Sequence, residues 1–171
     1  MTNNPYNNQI AIETILYIVS NNCQNMYNVL KVIYFANKQH LSNHGKYIYE
    51  DSYIAMENGP VPSMAYDIIK YIRGNSFLYL EDLEIYKESI AVKGNIIRPL
   101  RKPDYKYLGK LDRQSLDDAI NKYGNMPFKK LKKFSHNDAA FTSADKNDSI
   151  SFEAIIESLP NTAELKEHLF E

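Results

Sequence analysis

The chain holds one cysteine, Cys23, and no tryptophan. A single thiol cannot close an intramolecular disulfide, so a reduced, cytoplasmic setting is expected. Glycine is scarce as well. Its six residues stand singly, which leaves no G-x-x-x-x-G-K-[ST] loop and no G-x-G-x-x-G turn to cradle a phosphate. G-x-S-x-G, H-E-x-x-H and paired C-x-x-C are also missing, which excludes the enzyme classes those motifs define but not sites assembled from distant residues. There is no long apolar run: the most apolar stretch, Ile10 to Val19, is about half a membrane span and carries Glu13. Met1 to Gln9 has no basic side chain and so lacks the n-region of a secretory signal.

In excess are Asn (18), Ile (18), Lys (16) and Tyr (14) among 171 residues. The abundance of Ile and Tyr argues against disorder, and the length suits a single domain, residues 1–171, that needs neither disulfide nor metal to hold a core. The net charge of -1 conceals a segregation. Residues 1–85 carry 5 basic and 8 acidic side chains (-3), residues 86–133 carry 13 and 5 (+8), and residues 134–171 carry 2 and 8 (-6). Such a division marks either two partner surfaces or two segments that neutralise one another on folding.

The periodicity predicts an α+β domain, predominantly helical, with about six to seven helices and a small antiparallel sheet. Ile12, Ile15, Leu16 and Val19 mark a helix from about Asn8 to Ser20. Met26, Val29, Leu30, Ile33, Ala36 and Leu41 mark a second from about Asn25, closed by Gly45. Lys46 to Met56 has no helical period, and Asn58-Gly59-Pro60-Val61-Pro62 reads as an extended turn that places Pro62 at the first position of a third helix, stopped by Gly74. From Leu80 to Leu100 the period changes. Leu83 and Ile85 alternate with polar residues, and Lys93-Gly94-Asn95 lies between two apolar runs, so two or three short strands with a Gly-Asn turn are expected. Helices return at Leu116 to Tyr123, capped by Asp112 and ended by Gly124, then after Pro127 with Phe128, Leu131 and Phe134 facing inward, and finally over 151–159 and 162–170.

Five features invite a chemical reading. His40 and His44, at i, i+4, place two imidazoles on one helical face, with Glu50 or Asp51 available as a third metal ligand. Their position before Gly45 also suits a helix C-terminus, and no metal site is assigned. Cys23 has no local base and reads as a small, half-buried residue rather than a nucleophile. Ser135 and His136 lack a visible orienting group, and Ser135 or Asn137 suits a helix cap. Lys129, Lys130, Lys132 and Lys133 set four ammonium groups within five residues, suited either to nucleic acid or to an ordinary solvated face. The tail presents Asp145, Asp148, Glu153, Glu157, Glu164 and Glu167.

Ordered motifs between Ile33 and Tyr66 carry more information than any of these. They are Tyr34-Phe35-Ala36, His40-Leu41, Gly45-Lys46-Tyr47, Asp51, Tyr53-Ile54-Ala55, Gly59-Pro60-Val61 and Tyr66, joined later by Ser135-His136 and Phe141. This series resembles the Panacea domain of SocA-like antitoxins, a family that includes GepA-like phage proteins, with Phe141 standing where the family has Trp. The resemblance covers about residues 10–142 and leaves an acidic helical extension over about 143–171. It implies a non-enzymatic antitoxin without cofactor that neutralises, by direct binding, a protein toxin encoded nearby. An adaptor presenting its partner to a protease, or a nucleic-acid-binding regulator acting through Lys129 to Lys133, is the alternative. Nucleic acid and membrane are not the expected partners, and the oligomeric state is open. The motif residues are expected to build the scaffold or line a groove, while the lysine cluster and the acidic tail are the candidate partner surfaces.

Overall fold

The computed structural model describes residues 4–74 and 83–170. The Asn-rich start supplies the first cap: the Asn4 side chain accepts the amides of Tyr6 and Asn7 and begins α1, Pro5–Ser20. Every residue of α1 from Ala11 to Val19 is buried, which places this helix in the middle of the molecule rather than on its surface. Asn25 caps α2, Met26–His44, and Gly45 closes it in the left-handed region at φ 70°.

Between Gly45 and the third helix the chain forms a hairpin, β1 (Tyr53–Met56) and β2 (Gly59–Pro62), where sequence alone suggests an extended turn. Two prolines are tolerated in β2 because it is the edge of its sheet and donates no outer ladder bond. Tyr53 pairs with Pro62 and Met56 with Gly59. On the other side β1 pairs antiparallel with β5 (Ser149–Ile150), so the C-terminal segment completes the sheet β2-β1-β5. Pro62 then occupies the N-cap of α3, Ser63–Arg73, one position earlier than expected. Gly74 ends α3, as the sequence suggests.

The alternation of Leu83 and Ile85 is misleading. The segment is a helix, α4 (Leu83–Ser89), because Tyr86, Ser89 and Ile90 are the positions buried, at spacings of three and four; Leu80 lies outside the described residues. The expected hairpin follows as β3 (Ile90–Lys93) and β4 (Ile96–Pro99), with Gly94 at φ 59° in its turn. It docks on the link between α1 and α2 through Met26 N to Asn95 O and Ile97 N to Gln24 O.

The remaining helices are α5 (Lys110–Tyr123), α6 (Phe128–His136), α7 (Ala139–Thr142), α8 (Phe152–Glu157) and α9 (Thr162–Phe170). Nine helices and two small antiparallel sheets among the described residues make an α+β fold dominated by helix. Several expected boundaries move. Gly109 is the N-cap of α5, with Asp112 inside the first turn accepting the Gly109 amide, and Pro127 is the N-cap of α6. Asp138, rather than Ser135 or Asn137, caps α7. Cys23 is fully buried, and burial pushes its thiol up to about 12. Ile155, Ile156, Leu159 and Leu165 of the C-terminal helices enter the core, whereas Phe152 stays partly exposed against Tyr47.

Two charged side chains, Glu13 and Lys31, are almost completely buried in this core. Glu13 on α1 accepts both Arg101 Nη1 and Nη2, the Asp104 amide at 2.7 Å and Gln9 Nε2 at 2.9 Å. This contact ties α1 to the chain just after β4. The second, Lys31, belongs to the hairpin site.

Candidate functional site

The motif residues converge where α2 meets the β1–β2 hairpin, α5, α6 and α7. On α2, Tyr27, Lys31, Tyr34 and Lys38 recur at i, i+4, i+7 and i+11 and therefore share one face. Tyr34 is fully buried; its hydroxyl donates to Asp138 Oδ1 at 2.8 Å, while Lys38 Nζ pairs with Asp138 Oδ2. Asp138 also accepts the Phe141 amide, so one carboxylate joins α2 to the start of α7. Phe35 stacks on Tyr123 with ring centroids 4.4 Å apart, and Ala36 is fully buried.

Gly59 lies at φ 112°, and a Cβ there would come within 2.8 Å of Ser135 Cβ and 3.1 Å of Lys31 Cε. Glycine is therefore required both by the backbone and by the close approach of hairpin to helix. Lys31, only 1% exposed, donates to Pro60 O at 2.8 Å and lies 4.7 Å from the Tyr27 ring. No salt bridge is formed by Lys31 among the described residues. Burial accordingly lowers its ammonium to about 7. The chemistry-first reading passes over this lysine, although its place in the apolar stripe of α2 is the signal that could have found it.

Asp51 acts as a remote cap. It accepts the amides of Met64 (2.8 Å) and Ala65 (3.2 Å) at the start of α3, the Ser52 amide and the Tyr49 hydroxyl. Burial raises its carboxyl to about 6 against the opposing pull of those four donors. Tyr53 is buried and receives Asn37 Nδ2 at 2.6 Å; Val61 is buried, and Tyr66 is half-buried beneath Lys70. His136 bonds the Glu57 carbonyl at 2.9 Å and lies against Phe141, while Ser135 is fully buried under Gly59.

His40 does not behave as a partly protonated residue at a helix end. It is fully buried, its Nδ1 lies 2.9 Å from Ser115 Oγ and its Nε2 lies 3.2 Å from Asp112 Oδ1. Burial lowers it to about 4, with Asp112 opposing, so the imidazole is neutral near pH 7. The His44 ring stands 4.6 Å away, yet no group of three or more metal-ligating side chains comes together among the described residues. Beside this cluster a cleft of about 170 Å³ is lined by Phe35, Lys38, Ser115, Lys122 and Leu159.

Among the described residues no ion pair joins residues 86–133 to residues 134–171. Asp145, Asp148, Glu153, Glu157, Glu164 and Glu167 are all exposed, with Glu157 paired to Lys166 inside the same segment. On α6, Lys129, Lys130 and Lys133 are exposed and Lys132 is half-buried. The expected inward packing of α6 holds for Leu131 and fails for its aromatics: Phe128 is 49% exposed and Phe134 39%. Phe128 cannot reach the core because Tyr27 lies under it, with centroids 4.6 Å apart; Phe134 leans on Phe35 and Tyr123. No helix among the described residues is long and apolar enough to cross a membrane.

A family model described as antitoxin SocA-like, Panacea domain, matches residues 29–141, from the first turn of α2 into α7. No curated protein and no solved structure matches the chain.

Proposed function

Because the chain belongs to the SocA-like antitoxin family with a Panacea domain, we propose that it neutralises a protein toxin encoded beside it by binding that toxin directly, without catalysis. The family match over residues 29–141 is the observation that carries this reading. The motif residues hold the scaffold: Asp51 caps α3, Gly59 lets the hairpin approach α2 and α6, and Tyr34 and the Phe141 amide share Asp138 at the start of α7. They are largely buried and serve the fold in place, which leaves partner choice to exposed side chains.

The toxin-facing surface in this proposal is the acidic face of the C-terminal segment. Its carboxylates are exposed, lie outside the matched span and, among the described residues, form no ion pair with the basic middle of the chain. They suit a toxin with a basic functional groove, whose charge complementarity would speed encounter and set register. Residues 1–171 are read as one domain, because β5 completes the sheet and Ile155 and Ile156 enter the core. Removing the tail would therefore unfold the test, and charge reversal replaces it.

The experiment co-expresses the full chain with the product of the adjacent gene and scores growth. Wild type should restore growth, and the combined Glu153→Lys, Glu157→Lys, Glu164→Lys and Glu167→Lys variant should not, at unchanged melting temperature. Failure of the wild type refutes neutralisation. Rescue by the variant refutes the acidic face as the contact.

A further inference from the structure

On an ordinary solvated amphipathic helix, four lysines face water and the aromatics face the core; α6 departs from this pattern at both aromatic positions. We propose that the outer face of α6, with the groove beside Phe128, binds single-stranded nucleic acid. The groove, of about 540 Å³, lies between the start of α2, the turns of both hairpins and the α5–α6 link.

The groove ends at Phe128, the first residue of α6, and the four lysines follow it along that helix, so three chemistries adjoin. Lys129, Lys130, Lys132 and Lys133 form no ion pair among the described residues and are available to phosphates. Phe128 rests against Tyr27 with the rings tilted at 52° and is 49% exposed, so an aromatic surface is offered on which a base can stack. Asn58, Asn95 and Asn125 line the groove, and their side-chain amides make no hydrogen bond among the described residues, so each offers a donor and an acceptor to a base edge. No carboxylate lines the groove; Glu57, in the β1–β2 turn beside Asn58, is the nearest acid along that strand. A duplex keeps its bases stacked on one another, so none can lie against the Phe128 ring, whereas a single strand can splay one out onto it. An acidic protein segment would satisfy the lysines but would leave the ring and amides of the groove without a role.

The test measures fluorescence anisotropy of the full-length chain with fluorescein-labelled dT15, U15 and a 15-base-pair duplex. The two single strands distinguish DNA from RNA as the source of the ligand. Both or either should bind, and the duplex should bind at least 10-fold more weakly. With four phosphates neutralised, the log–log salt slope should be about -3, or roughly a 50-fold loss between 50 and 200 mM salt. Replacing the four lysines by Gln should flatten that slope. Phe128→Ala should weaken binding roughly 5- to 100-fold with the slope unchanged, and Phe128→Tyr should restore it. Absence of single-strand binding at 50 mM salt, equal or tighter binding of duplex, indifference to Phe128→Ala, or displacement by polyglutamate as effective as by dT15 would each overturn the proposal; the last would mark the face as a docking site for acidic protein. No toxin enters this assay, so its failure leaves the neutralisation reading intact.

Discussion

Lys31→Met is expected to stabilise the protein, because the native ammonium is buried with a single carbonyl acceptor and no counter-ion among the described residues. Its pKa falls from 10.5 to about 7, a difference of about 3.5 units, and each unit corresponds to about 1.4 kcal/mol between protonation states. The folded chain therefore carries a penalty of about 4 kcal/mol at pH 7. Methionine keeps the unbranched stem packed against Tyr27 and gives up the hydrogen bond to Pro60, leaving that carbonyl short of a donor at a cost of about 1–3 kcal/mol. The net expectation is a gain of about 2 kcal/mol at pH 7. The pH dependence gives the sharper test. Between pH 7 and 10.5 the unfolded chain holds the Lys31 proton more tightly than the folded chain does, so the penalty fades as pH rises. Wild type should gain about 2 kcal/mol more than Lys31→Met on going from pH 7 to pH 9. Urea unfolding followed by circular dichroism, at constant salt and at both pH values, reads this double difference. If the two proteins respond to pH alike and Lys31→Met is destabilised by more than 1 kcal/mol throughout, the ammonium is held as a favourable donor and the argument fails.

Glu13 is fully buried and receives four donors, so Glu13→Gln should cost about 3–5 kcal/mol by leaving Arg101 without its counter-charge. At this chain length that corresponds to a fall of roughly 6–20 °C in melting temperature, and a change under 2 °C would show that the pair is dispensable. Gly59→Ala meets a positive φ and Ser135 Cβ at 2.8 Å, whereas Gly74→Ala meets a positive φ with nothing within 4 Å. The second should cost about 1 kcal/mol and the first at least about 3 kcal/mol in chemical denaturation. Equal costs would mean that backbone strain alone, and not the fit of hairpin to α6, demands glycine at position 59.

The elements easiest to read were those decided within a few residues. Asn25 before an apolar period, Gly45 and Gly74 after one, and Gly94-Asn95 between two apolar runs all end or turn the chain as local chemistry predicts. The segment at Leu83 to Ser89 misled because a short apolar run suits either period, and the surface that Tyr86 packs against decides between them. The site was legible as an order of motifs but not as contacts. Nothing near Asp51 in the chain shows that it caps a helix across a hairpin, and nothing near Asp138 shows that Tyr34 and Lys38 reach it from α2.

By itself the sequence determined the ends of α2 at Asn25 and Gly45 and of α3 at Gly74, the β3–β4 turn, the absence of phosphate and metal motifs, the family pattern, and the division of charge into a basic middle and an acidic tail. Each of these depends on residue identities and short spacings, which the chain carries before it folds. Tertiary structure alone decided that Glu13 and Lys31 lie in the core, that Phe128 and Phe134 do not, and that, among the described residues, no ion pair joins the basic and acidic segments. Burial depends on surfaces supplied from far along the chain. Arg101 reaches Glu13 across 88 positions, and no local pattern records which partner arrives or which aromatic is already covered by another ring.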